Sequence, residues 1–249
     1  MRATWALMRT DDDDRRLAWS LATIAGAVNA AGFYVAGHYT SHMTGTMSLL
    51  ADALALGEVG EAAIALSVIV TFIAGATVST LLINRAQRRR PNGAYAVCLL
   101  AEAALLFLGG LVEHIAPEAM RASLLILGLS FTMGLQNAIV TRVSNARIRT
   151  THVTGMVTDI GIELGQLIDR RLSPRDDGVA EVDRQKLALH IPTVGGFLLG
   201  GVIGVIGYRL IGTLLLPVAG CLLIAIAVPA IARRTMQTRI EPTMTEPRR

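Results

Sequence analysis

Two short segments carry side chains able to hold a polar solute or move a proton. Ser41-His42-Met43-Thr44-Gly45 and Thr151-His152-Val153-Thr154-Gly155 share the pattern [ST]-His-x-Thr-Gly. Imidazole titrates near neutral pH, a threonine hydroxyl both donates and accepts, and glycine lets a ligand approach the backbone. Each segment follows Gly-x-x-Asn-Ala, at Gly26–Ala30 and Gly134–Ala138. Asn29, Gln136 and Asn137 therefore join His42, Thr44, Gly45, His152, Thr154 and Gly155 as candidate solute-binding residues. Glu102 stands inside an apolar run between Ala101 and Ala103. A carboxyl group at membrane depth is costly and is read as functional by default. Asp159 follows His152 by seven residues, two helical turns, and so lies on nearly the same face. Glu102 and Asp159 are the proton-coupling candidates. The structural alternative is that local hydroxyls satisfy each histidine, the amides tie the spans to the short helices that follow the histidine segments, and Asp159 faces the cytoplasm. Leu49 occupies the position equivalent to Asp159, and the last apolar run has no acid to match Glu102, so any proton role is asymmetric.

The elements that must position these residues are membrane helices. Of 249 residues, 52% are hydrophobic and 17% charged, too apolar for an ordinary soluble domain. Six runs approach the roughly 20 residues needed to cross a bilayer: Leu17–Gly37, Ala62–Ile83, Ala94–Val112, Ala122–Thr141, Leu187–Tyr208 and Leu210–Ile231. Basic residues concentrate on cytoplasmic loops, and six spans with the N-terminus inside leave only Arg121 and Arg209 outside. Eight spans, with the histidine segments crossing as well, put several more arginines outside. Three spans per repeat is an odd number, so the halves sit in opposite orientations. The expected fold is all-α and integral to the membrane, with six transmembrane helices as two inverted three-helix repeats. The expected units are a cytoplasmic N-terminal segment (1–16), repeat 1 (17–115), repeat 2 (120–232, with a cytoplasmic loop at 170–186) and a flexible basic tail (233–249).

After each Thr-Gly comes an apolar, helix-compatible stretch, Thr46–Leu56 and Met156–Ile168. Such stretches span roughly 17–20 Å, short of a bilayer core of about 30 Å. They are read as re-entrant half-helices, or else as helices lying at the two interfaces. Ser41 or Thr44, and Thr151 or Thr154, are the expected N-caps. A half-helix N-terminus at membrane depth offers free amides and partial positive charge to an anion or polar solute. Ser67, Thr71, Gly75 and Ser79, and likewise Gly196, Gly200 and Gly204, form small-residue faces on spans two and five. These faces suit close helix approach, either between spans two and five or in a homodimer.

Gly26–Phe33, His42–Gly45, Gly134–Ala138 and Arg149–Gly155 resemble the YoaK-like bacterial membrane proteins, a family of unknown function. The resemblance covers Leu17 to about Arg234. It implies a six-span protein of the bacterial inner membrane and supplies no substrate. The family usually has Asn after the first Thr-Gly, where this chain has Thr46, so no amide role is implied there.

Three functional classes follow. The favoured one is a transporter or channel for a small polar or anionic solute, not an enzyme. The alternatives are a non-catalytic membrane partner or sensor, and an intramembrane metal-dependent enzyme. Against the last, the sequence has no H-E-x-x-H, no G-x-S-x-G and no nucleotide loop. No catalytic residue, metal ligand or cofactor is expected. The partners expected are the lipid bilayer, a small solute and a second copy of the chain. A pI near 9.6 reflects topology and anionic headgroups rather than nucleic acid. Cys98 and Cys221 read as packing residues.

Overall fold

A computed structural model describes residues 11–89, 94–143, 150–172 and 183–240, with side chains described for all but 11–14, 36, 89, 94–95, 143 and 229–240. Most of the expected N-terminal segment, the loop at 170–186 and the tail therefore lie outside the described residues. The chain forms α1 (Asp11–Ala36), α2 (Met43–Leu56), α3 (Val59–Arg89), α4 (Ala94–Ile115), α5 (Glu118–Val143), α6 (Val153–Leu172), α7 (Arg184–Ile211) and α8 (Leu215–Ile240).

Five stretches are long and apolar enough to cross a bilayer: Arg15–Val35, Val59–Arg88, Ala96–Ile115, Glu118–Arg142 and Arg184–Val228. The fifth holds two helices, because Gly212 takes a left-handed φ of 59° and opens a 3-10 turn, Gly212–Leu214. The chain reverses there, and α8 runs back along α4. Gly110 meets Pro217, and Gly220 meets the carbonyl of Ala103, an antiparallel register.

The helices that pack most closely are not neighbours in sequence. α1 lies against α7, and α3 against α5. A Cβ at Gly200 would fall on the Thr23 carbonyl, and one at Gly204 on Ala27, so α1 and α7 run parallel. A Cβ at Gly134 would fall on the Phe72 carbonyl, while Arg142 donates to Asn84 Oδ1 at 3.0 Å near the far ends, so α3 and α5 also run parallel. Glycine is required at these crossings because backbones in contact leave no room for a Cβ. This corrects the expectation that the small faces of spans two and five meet. Each packs instead on the first helix of the other half.

The main core joins Leu21, Val28, Leu99, Leu106, Met133, Leu216 and Leu223 from α1, α4, α5 and α8. A smaller one joins Ile83, Cys98, Leu135 and Ile139 from α3, α4 and α5. Arg15, Arg16, Arg85, Arg88, Arg142, Arg184 and Lys186 fall at one end of the bundle, hereafter the basic end. Glu58, Glu61, Glu113 and Glu118 mark the other. Tyr34 and Tyr208 approach within 5.8 Å where α1 and α7 finish, as aromatic side chains do near a membrane interface.

The two histidine segments begin α2 and α6, which touch only the bundle's edges. α2 packs on α3 after a turn at Gly57, whose φ is 75°. α6 packs on α7 in antiparallel register, since Asp159 faces His190 and Glu163 reaches the amide of Asp183. α2 starts three residues before the expected Thr46. α6 extends past the expected Met156–Ile168 at both ends, to 20 residues or about 30 Å, which corrects its expected shortness; its charges, from Asp159 to Arg171, and not its length set it apart from the apolar stretches. Its acids do not stop it, because Asp159 and Glu163 find partners on or beside α7.

Candidate functional site

The Gly-x-x-Asn-Ala element performs the same two tasks in each half. Gly26 lies against the Phe197 carbonyl of α7, and Gly134 against the Phe72 carbonyl of α3. In return, Gly200 meets the Thr23 carbonyl and Gly75 the Phe131 carbonyl. Phe72-x-x-Gly75 and Phe197-x-x-Gly200 are thus matching partners of the two motif helices, a signal the sequence reading missed although it is printed twice in the chain.

The asparagines then tie down the histidine segments. Asn29 Oδ1 accepts from Ser41 N at 3.0 Å and from Ser41 Oγ at 2.9 Å. Asn137 Oδ1 accepts from Thr151 Oγ1 at 2.7 Å, while its Nδ2 donates to the Met133 carbonyl. Asn29 stands seven residues before the end of α1 and Asn137 six before the end of α5. At 1.5 Å per residue, the two segments are held about 10 Å and about 9 Å in from those helix ends. The helix directions above make α1 antiparallel to α5, with Gly32 level with Leu129. Asn29 and Asn137 are therefore about 8 Å apart along the bundle axis.

Ser41 spends its hydroxyl on Asn29, so it does not cap α2. His42 occupies the cap position with no side-chain hydrogen bond to the helix. Gly45 lies within the first helical turn rather than at a sharp bend, and the His42 ring rests where its Cβ would be. His42, Thr44, His152 and Thr154 are all exposed, while Gly45 and Gly155 are half-buried. Beneath them lie Thr40 and Thr150, both fully buried and neither hydroxyl with a partner among the described residues. The sequence reading did not single them out, although threonine precedes [ST]-His in both copies.

The other candidates fall elsewhere. Gln136 is fully buried in α5, with neither amide atom partnered among the described residues. Glu102 is fully buried in α4, and both its oxygens are likewise without partners. The carboxylate of Asp159 lies 3.7 Å from Nδ1 of His190 on α7, which redirects the expected partnership with His152. Among the described residues, no group of three or more His, Cys, Asp or Glu side chains could hold a metal ion. Cys98 and Cys221 are both free thiols, the first buried and the second exposed.

A family model described as a protein of unknown function (DUF1275) matches residues 17–228. The chain belongs to this family. It is also 28% identical over 143 residues to the UPF0700 transmembrane protein YoaK of Bacillus subtilis (strain 168). The match covers 56% of this chain and 62% of that protein, a little under two thirds of the relative's length. No solved structure matches. With its apolar helices, the relationship makes this a helical, multi-pass membrane protein of a family whose function is not established.

Proposed function

We propose that the chain is a transporter or channel for a small polar or anionic solute, built from two inverted three-helix repeats. The six crossings are α1, α3, α4, α5, α7 and α8. α2 and α6 enter from opposite sides without crossing, and both termini are cytoplasmic in the bacterial inner membrane. One observation carries this reading. In each half an asparagine well inside a long apolar helix bonds the [ST] of an [ST]-His-x-Thr-Gly segment, which supports a helix that begins within the membrane rather than at its surface.

Exchange of the repeats supports the inversion. It turns Gly26–Phe197 into Gly134–Phe72, and Thr23–Gly200 into Phe131–Gly75. Backbone irregularity at membrane depth is tolerated where it is buried or lines a wet path, and inverted repeats with broken helices are a transporter architecture. The first amides of α2 and α6, with the partial positive charge of a helix N-terminus, favour an anionic or strongly dipolar solute. The basic end suits the cytoplasmic side.

Exposure of α2 and α6 favours a second reading, a non-catalytic partner or sensor that presents these helices to another protein. Gly134, Gly196, Gly200 and Gly204 lie against helices of the same chain, so these glycines are not open to a second copy. Flux into proteoliposomes separates the readings. With a panel of small anions and neutral polar solutes, Thr44→Val and Thr154→Val are expected to lower flux of one solute at least tenfold with unchanged melting. No flux above empty liposomes, or equal flux in the variants, contradicts transport through these segments.

A further inference from the structure

We propose that Glu102 is a proton-binding site, neutral in the packing seen here and ionised in a second state in which water reaches it. Glu102 sits near the middle of α4, with no exposed surface and neither oxygen partnered among the described residues. Among the described residues, the helices packed on α4 offer it no compensating charge. α3 has no charged residue between Glu61 and Arg85, α5 none between Arg121 and Arg142, and α8 none before Arg233. On α4 itself the titratable neighbour is Cys98, one turn away and also buried. An ionised carboxylate without cation or hydrogen bonds is not sustainable in such surroundings, so in this packing the group is a carboxylic acid.

A permanently neutral acid would gain nothing over glutamine, and less over leucine, in a core otherwise built from Leu99, Ala103 and Leu106. Loss of the proton leaves one negative charge, which must be met by water or by a donor brought alongside. Gln136, on the adjoining α5, is also fully buried with its amide donors unpartnered among the described residues, so a donor of that kind exists on a helix packed against α4. Glu102 thus binds H⁺ when closed off and releases H⁺ to water when the helices around α4 and α5 part. Solute movement gives that parting a purpose, and to that extent the site rests on the transport reading.

Infrared difference spectroscopy on the full chain in liposomes, titrated from about pH 5 to about pH 10, tests it. Wild type is expected to show the carbonyl band of a carboxylic acid in apolar surroundings, lost as pH rises. Glu102→Gln should lack the band and Glu102→Asp restore one. Should Glu102→Gln not fold, a hydrophobic carbodiimide on wild type replaces it. This reagent adds the acid O–H across its C=N bond with no leaving group, and the peptide carrying Glu102 should gain one carbodiimide mass at low pH but not at high pH. A band or adduct unchanged over the whole range shows a fixed neutral acid and overturns the proposal. So does a carboxylate at every pH. A titrating Glu102 in a protein that moves no solute overturns transport and leaves the site standing. Solute flux with a non-titrating Glu102 does the reverse.

Discussion

His42 and Gly45 show how one residue's identity depends on another's ring. The imidazole lies across Gly45 where a Cβ would project, so Gly45→Ala must swing His42 aside. The ring is exposed and free to move, and the expected stability loss is below about 1 kcal/mol. Reaction of His42 with diethyl pyrocarbonate should nonetheless change several-fold, as peptide mass spectrometry would show. An unchanged rate would mean the ring does not rest there. The asparagines work differently. Asn29→Ala and Asn137→Ala each remove a hydrogen-bond acceptor from a buried or half-buried segment and should cost about 1–2 kcal/mol in detergent unfolding. Adding Ser41→Ala to Asn29→Ala should then cost little more, because the partner is already gone. Full additivity would show the bond contributes nothing. The asparagines stand out in the sequence because they recur with the histidines. Their partners Ser41 and Thr151 stand out too, as the [ST] of the motif, but read as N-caps; the bonds themselves join residues 12 and 14 apart, which spacing alone cannot orient. Asp159 misled for a related reason. Its helical face was readable, but His190 on another helix claims the carboxylate.

Helix pairing is where sequence periodicity reaches its limit. Each expected apolar run falls largely within a helix among the described residues, and the break between the last two, expected near Arg209, occurs at Gly212. Which helices touch was not readable, because α1 with α7 and α3 with α5 are distant in sequence and parallel. The small-residue faces announced close approach without naming the partner. The pairing makes a sharp distinction among glycines. Gly200→Val and Gly134→Val would drive a side chain into a facing backbone, and little folded protein should survive size-exclusion chromatography. Gly161→Ala and Gly165→Ala, which meet open space within α6, should be neutral or stabilising by up to about 1 kcal/mol. Failure of the α6 alanines together with tolerance of Gly200→Val would refute this pairing. The hold of α6 on α7 depends in part on Glu163, which is buried and accepts from Asp183 N at 2.7 Å. Glu163→Ala should raise amide exchange along α6 while leaving α1 protected. Equal exchange in both proteins would assign that hold to other contacts.

Across the whole molecule, the two halves trade partners: the first helix of each lies on the second helix of the other. In that arrangement the asparagines that tie the starts of α2 and α6 stand about 8 Å apart along the bundle axis, and the helices lead toward opposite ends of the bundle, α2 away from the basic end and α6 toward it. Duplication of the histidine motif and the distribution of arginines are what carry the inverted-repeat expectation on which the proposed function rests. The depth of the two helix starts was not readable in the sequence, because it is set by the Asn29 and Asn137 ties. Opposite access to those starts is the central claim, and thiol labelling tests it most directly. Thr44→Cys and Thr154→Cys, each in a Cys98→Ala/Cys221→Ala background, would be treated with a membrane-impermeant maleimide in intact cells and in inverted vesicles. The expected result is labelling of position 44 only from outside and of position 154 only from the cytoplasmic side. Labelling of both positions from the same side, or of each from both sides at equal rate, would contradict an inverted pair of half-helices.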